Sequence, residues 1–586
     1  MAIEQNQGVS MNIEKLLTQA EKIGVIGSPS STSELSLDIM ATAVTRKLVG
    51  ELAMFAFYQD TYVHLAMGQI TEIAMRNVWH EDPTMRSLIR QHGRVDAVSE
   101  RQDTHLGKMI ISAVFKTDGK NYRPSSLGTV PPTGTGIYLI KDDILQEILQ
   151  AYQNQISYLG NVYGSTPLMP LWFKHFDSGT NGAGEAYHLG VFGKTGSGKS
   201  VLTKMILLAY AKHKNMGVFI LDPQGEFSQG IDNKPTDMRG IFSRDVLRSM
   251  GKKVTVYTLE QIQLDRWEIF FELLNESNFF DDMGIRAPKN QEIASDILAD
   301  KLKGLIKLED LHKGESYKEA LKILYNNSSV IYVQSEGEKR LRNTVSDLLK
   351  SDIKKSWSIV ANLFTQNNQN TKKTANNIIY SAFANQNRDI VIIDLSQSPE
   401  DMPQTKWNDE IKPLLIKRFV GEIVSRADKS YKDRQTLNSL VVIDEAHRFV
   451  PSGRADNSTI DKIRQEIVDA VRTTRKYGLG WMFVSQTLSS LDNEIIQQLR
   501  VMFFGFGLSM GTEYQKLREL VGGQKESLSL YQLFRDPQSA FDAESKEYSF
   551  MTIGPVSPLS FSGTPLFFNA FNSIDEFLSA NDIKLK

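Results

Sequence analysis

Short apolar runs recur through the centre of the chain, each closed by glycine or a polar side chain: Tyr187 to Phe192, Leu440 to Ile443 and Gly480 to Val484. Runs of this kind predict strands buried on both faces, as in a parallel sheet covered by helices. Lys253 to Leu259 and Asp389 to Leu395 read the same way. Between two of these runs the period changes. Ile460, Ile463, Ile467, Val468 and Val471 recur at helical spacing and predict a helix from about Thr459 to Tyr477, stopped by Gly478. Strand and helix alternate, which is the signature of an α/β layer fold.

The flanks have other patterns. Lys22 to Ile26, Leu48 to Tyr58, Tyr62 to Gly68 and Gln69 to Ile73 read as short β elements, with turn signals at Gly27 to Pro29, Gln59-Asp60 and Gly134 to Gly136. From about 275 to 385 the chain is mostly helical and polar, which predicts an insertion standing outside the core; Ala299 to Gly304 and Asn367 to Lys373 read as wet surface. Phe550 to Phe571 is rich in Phe, Pro, Gly and Ser and suggests an arm laid on a neighbour. At 586 residues the chain exceeds what one core normally supports. The expected division is an arm over 1–21, a β-rich domain over 22–145, the α/β domain over 146–510 and C-terminal helices with a bracing tail over 511–586.

The run ending at Phe192 leads directly into Gly193, Lys194, Thr195, Gly196, Ser197, Gly198, Lys199 and Ser200, which fit the phosphate-loop pattern GxxxxGK[ST]. Glycines let the backbone turn so that its N–H groups converge on a phosphate, and the following helix adds the positive end of its dipole. Lys199 would bind the β- and γ-phosphates of ATP, and Ser200 would ligate Mg²⁺. The run Leu440 to Ile443 ends in Asp444 and Glu445. Asp444 would orient the metal through its water shell, and Glu445 is the candidate general base for an attacking water. Gln486 closes the run from Gly480 and would sense the γ-phosphate, placed between the phosphate-loop and acidic strands. Arg472 and Arg475 share a face at the end of the intervening helix, where an arginine finger acting across a subunit boundary could arise.

Taken in order, Asp444 to Pro451, Arg472 to Gly480 and Ser485-Gln486, with Leu221 to Phe227, resemble the HerA-like branch of the HerA/FtsK translocases. The resemblance covers about 185 to 510. It implies a RecA-like P-loop core, mainly parallel, with a small β-barrel of the HAS type before it and a helical insertion within it. It further implies a homo-hexameric ring that encircles double-stranded DNA and translocates it with ATP and Mg²⁺. Such proteins work with a separate effector, a NurA-like nuclease or, in anti-phage pairs, a sirtuin-like NADase or another nuclease. Two departures stand out. Thr487-Leu488 occupies the place where family members often carry Arg-Pro, and no arginine lies between Arg123 and Lys199, where some relatives place an intersubunit finger.

Charge adds little to this picture. Lys plus Arg is 67 and Asp plus Glu is 69, for a net charge of −2. A ring can still concentrate cations in its pore. Lys234 and Arg239, after the second strand, and Arg454, after the acidic pair, are the candidate DNA contacts. No run approaches the ~18 apolar residues of a membrane span, so a soluble, cytoplasmic chain without membrane contact is expected. Absence of cysteine excludes disulfides, thiolate metal sites and cysteine nucleophiles.

Two further readings stay open. One is a nucleotide-dependent structural ring that assembles and regulates a partner effector with little motor output. The other is a DEAH-type helicase, since Asp444 to His447 matches that tetrapeptide; no second helicase lobe with its arginine-rich stretch follows.

Overall fold

Seven antiparallel strands occupy the N-terminal region: β1 (Lys22–Ile26), β2 (Glu34–Ile39), β3 (Leu52–Gln59), β4 (Tyr62–Arg76), β5 (Thr104–Thr117), β6 (Tyr122–Ser125) and β7 (Gly136–Leu139). β1 pairs with β2 and β7, β7 with β3, β3 with β4 and β4 with β5; β5 then closes on β2. The result is a six-strand barrel with β6 added to the outside of β5. Leu35, Leu37, Phe55, Ile70, Met109 and Ile137 fill it. Tyr62 to Ile73, expected as two strands, lies within one 15-residue strand, Tyr62–Arg76. Its register shifts at Met67 and Gly68, and a Cβ on Gly68 would lie 1.9 Å from the Ile110 carbonyl oxygen. Glycine is required for that close approach, and the strand bends there without breaking.

The computed structural model describes residues 13–95, 99–118, 121–179, 181–366, 372–384, 387–396, 412–453, 458–542, 545–560 and 563–585. Beyond the barrel the strands are β8 (Ile156–Val162), β9 (Leu168–Trp172), β10 (His188–Phe192), β11 (Gly217–Asp222), β12 (Val254–Tyr257), the paired two-residue strands β13 (Ile262–Gln263) and β14 (Lys373–Thr374), β15 (Ile390–Asp394), β16 (Ser439–Ile443), β17 (Leu479–Ser485), β18 (Leu499–Gly505), β19 (Tyr548–Ile553) and β20 (Leu566–Ala570). All except β13 and β14 form one 11-stranded sheet in the order β12-β15-β11-β16-β17-β10-β18-β19-β20-β8-β9. From β12 to β18 every pairing is parallel. Every residue of β10, β11, β15, β16 and β17 is buried, as apolar runs covered by helices on both faces must be. β17 separates the phosphate-loop strand β10 from the acidic strand β16, which is the RecA-like arrangement.

Two expectations are corrected. The insertion is helical, but it is not merely polar. Trp357 is fully buried among Phe270, Phe279 and Tyr317, and its indole N–H donates to the Leu311 carbonyl at 2.9 Å. Its helices are amphipathic, so their apolar faces meet one another while charge covers the outside. Of its two expected wet stretches, residues 299–304 are largely exposed, although Leu302 is buried; residues 367–371 lie outside the described residues. Phe550 to Phe571, suggested as an arm, lies within its own chain. β19 and β20 extend the sheet antiparallel from β18, and Phe550 and Phe568 are fully buried there and stack at 5.8 Å. The sheet therefore continues past residue 510.

The barrel is fastened to this wing. Gln69, buried, donates to the carbonyls of Gly50 and Phe567, both at 2.9 Å, and accepts from the Phe567 amide at 2.8 Å.

Candidate active site

Ligands of parallel α/β sheets bind beyond the carboxyl ends of the strands. Here β10, β16 and β17 end side by side. After Phe192 the loop turns with Gly193 at φ 153°, Gly196 at 84° and Gly198 at 87°, a path open to glycine and costly for other residues. The helix Lys199–Ala211 begins at once and is buried along most of its length. Lys199 reaches back to the Lys194 carbonyl at 3.1 Å. Burial pulls its ammonium below the usual lysine range, opposed by the carboxylates of Glu445 and Asp444.

Asp444 and Glu445 follow β16. Asp444 is pushed up to about 7 by burial first and then by the negative charges of Glu445 and Asp222. Glu445 has φ 48° and ψ 43°, the left-handed region, where a residue with a Cβ pays roughly 1–2 kcal/mol. Strain of that kind is held in place by surrounding contacts and clusters at functional sites. The contacts are here: Gln486 donates from Nε2 to Glu445 Oε1 at 2.8 Å and accepts at Oε1 from the Thr195 hydroxyl at 3.0 Å. One amide thus bridges the phosphate loop and the acid. The other oxygen, Glu445 Oε2, is buried with no hydrogen-bond partner among the described residues. His447 Nδ1 lies 3.4 Å from it, and Ser485 Oγ lies 3.3 Å from that same nitrogen. Burial lowers the affinity of His447 for a proton.

Further residues build the floor. Asp222, at the end of β11, accepts four backbone amides, from Gly225 and Glu226 at Oδ1 (3.0 Å each) and from Phe227 and Ser228 at Oδ2 (3.0 and 2.8 Å). It fixes the loop that carries Glu226, which pairs with Lys204 of the phosphate-loop helix at 2.9 Å. An apolar run ending in acid was its signal. Glu513 holds the segment after Gln486 by accepting the amide of Leu488 at 2.7 Å. Nothing in the local pattern marks Glu513, because its role depends on a helix from far along the chain.

Lys199, Thr195, Asp444, Glu445 and Gln486 are therefore brought together. Arg472 and Arg475 are not. The helix Ser458–Thr474 runs back against the strands and delivers both to the opposite sheet edge, where the Arg475 carbonyl accepts from the Ala186 amide at 3.1 Å, before β10 begins. Arg472 pairs with Glu494 at 2.5 Å and Arg475 with Glu185 at 3.4 Å, all four substantially exposed. The five residues of β10 separate them from the loop, about 16 Å at ~3.3 Å per residue. Lys234 and Arg239 are exposed in the loop after β11, and Arg454 lies outside the described residues.

Among the described residues no three His, Asp or Glu side chains form a metal cage. A Mg²⁺ ion fits nonetheless: Asp444 and Glu445 are buried side by side, Glu445 Oε2 has no hydrogen-bond partner among the described residues, and Mg²⁺ is ordinarily held by few protein groups plus phosphate oxygens and water. Ser200 and Asp444 are the residues that would hold it.

Residues 186–408 match a family model described as "Helicase HerA, central domain". The chain carries a HerA-type ATPase domain. No curated protein matches the chain. Solved structures similar to it include VirB4 of Thermoanaerobacter pseudethanolicus, with 15% identity over 71% of this chain and 96% of that one and a TM-score of 0.38. The bacterial conjugative coupling protein TrwBΔN70 aligns at 12% identity over 74% of this chain and 92% of its own, with a TM-score of 0.37. The genome packaging NTPase B204 of Sulfolobus turreted icosahedral virus 2 aligns at 10% identity over 66% and 98%, with a TM-score of 0.27. The match takes in the phosphate loop with Lys199 and ends before Asp444, Glu445 and Gln486.

Proposed function

We propose that the chain is an ATP-hydrolysing ring motor that encircles and translocates double-stranded DNA for a separate effector, a nuclease or NADase. The observation that carries this reading is the split site. The phosphate loop, acids and Gln486 stand at one sheet edge, while Arg472 and Arg475 stand exposed at the other. Such a chain completes its site only when a neighbour presents its far edge, and a closed ring satisfies every copy. Glu445 takes the proton of the attacking water at Oε2, and Gln486 holds the carboxylate while contacting the loop. Lys199 neutralises the phosphates. A bound Mg²⁺ would offset charge on the β- and γ-oxygens.

The test is steady-state ATP hydrolysis by the purified protein with and without linear duplex DNA, with Glu445→Gln as the blank. Strong stimulation by duplex is expected. Hydrolysis indifferent to DNA overturns the translocase and favours a nucleotide-dependent ring that regulates its effector. The Gln69 fork to Phe567 favours that second reading, since it ties the barrel rigidly to the sheet and would present the ring's state to a barrel-bound partner.

A further inference from the structure

The phosphate loop has two flanks. The side facing β17 and β16 holds Gln486 and Glu445, so the γ-phosphate belongs there. A polyphosphate cradled by residues 193 to 199 must then leave toward β18 and β19. That flank is occupied by the chain's own C-terminal segment. A Cβ built on Gly196 would lie 2.7 Å from Gln538 Nε2, and one on Gly198 would lie 2.6 Å from the Tyr548 ring. The two side chains therefore touch the loop at its apex and at the residue before Lys199.

Their placement is well supported. Tyr531 anchors the segment, its hydroxyl donating to the Gly505 carbonyl at 2.7 Å and accepting from the Leu508 amide at 3.1 Å. Asp536 caps the turn Pro537–Ser539 through the Gln538 amide at 2.9 Å. Tyr548 opens β19 in register with Ala570. Neither the Gln538 side-chain amide nor the Tyr548 hydroxyl makes a hydrogen bond among the described residues, so both are available to a ligand.

Resting on the ATPase reading, we propose that Gln538 and Tyr548 form the nucleoside subsite: the Tyr548 ring packs on the base or ribose, and the Gln538 amide meets its polar edge. A loop alone recognises phosphate and is indifferent to what the phosphate carries. An aromatic face and an amide add contacts that only a nucleoside can satisfy. Tyr548 stands on β19, which pairs with β18 and β20, so its ring is held by the sheet.

The test measures binding of ATP and of inorganic tripolyphosphate to the full chain in the Glu445→Gln background with Mg²⁺, by competition against a fluorescent ATP analogue. Gln538→Ala and Tyr548→Ala should each weaken ATP about tenfold while leaving tripolyphosphate unchanged, and Tyr548→Phe should retain ATP affinity. Equal loss of both ligands in the exposed-site variant Gln538→Ala, or no loss of ATP in either alanine variant, overturns the subsite. If the parent binds neither ligand, the ATPase reading itself falls.

Discussion

A carboxylate that is to take a proton from water must be held still and left partly unpaired. Glu445 has both properties: left-handed backbone, one oxygen bonded to Gln486 and the other without a hydrogen-bond partner. Glu445→Gln should bind ATP normally and hydrolyse it about 10²–10⁴-fold more slowly, read by single-turnover kinetics. Lys199→Ala should instead weaken nucleotide binding itself, read by equilibrium titration. His188 is a buried residue whose role was not legible in sequence. Its Nδ1 accepts from the Trp481 amide at 3.1 Å, and its Nε2 faces the Val471 carbonyl at 3.0 Å, an arrangement that suits only the neutral ring. Burial lowers its pKa to about 4 from 6.5. The unfolded imidazole takes up a proton in that window and the folded one does not, so folding loses stability as pH falls from 6.5 toward 4, by ~3 kcal/mol. Melting temperatures of wild type and His188→Gln should converge as pH falls across this range.

At the scale of elements, the helix Ser458–Thr474 was legible from its apolar period and its Gly478 stop, and the structure ends it in a single 3-10 turn before that glycine. Which sheet edge its arginines reach was not legible, because helix direction relative to the strands is a property of the packing. If Arg475 serves a neighbour, Arg475→Ala and Glu445→Gln should each be inactive alone, whereas mixed assemblies should regain hydrolysis: some interfaces then join an intact glutamate to an intact arginine. Mixtures no more active than either parent would show that Arg475 does not act in a neighbour's site. The insertion was read as polar because its surface residues outnumber those of any one apolar stripe. Trp357→Ala should cost about 3–5 kcal/mol locally, seen as loss of hydrogen-exchange protection in the insertion helices.

At the scale of the whole molecule, the barrel and sheet share an apolar core that includes Leu52, Met67, Phe115, Leu159 and Phe568, joined by the buried Gln69 fork and by a hub in which Lys108 lies 3.3 to 3.5 Å from Glu34 and Glu72 of the barrel and Glu526 beyond it. The hub is partly exposed and screened, so it contributes little. The fork is buried, and Gln69→Ala would strand the Phe567 amide at about 1–3 kcal/mol, while the Phe567 carbonyl keeps the Tyr163 amide at 3.0 Å. Thermal unfolding of that variant should show an early transition of the barrel, with the nucleotide site intact by ATP titration.

The sequence by itself determined the chemistry and the layer type. A phosphate loop needs its glycines, lysine and serine in contiguous order, and doubly buried strands must be apolar throughout, so both are written locally from Gly193 to Ser200 and in the runs ending at Phe192, Ile443 and Val484. Tertiary structure alone decided that Gln486 bridges Thr195 to Glu445, that Glu513 holds the segment after Gln486, that the arginines face away and that β19 and β20 join the sheet. Each of these joins residues distant in the chain, and neither periodicity nor spacing encodes which surfaces meet when the layers pack.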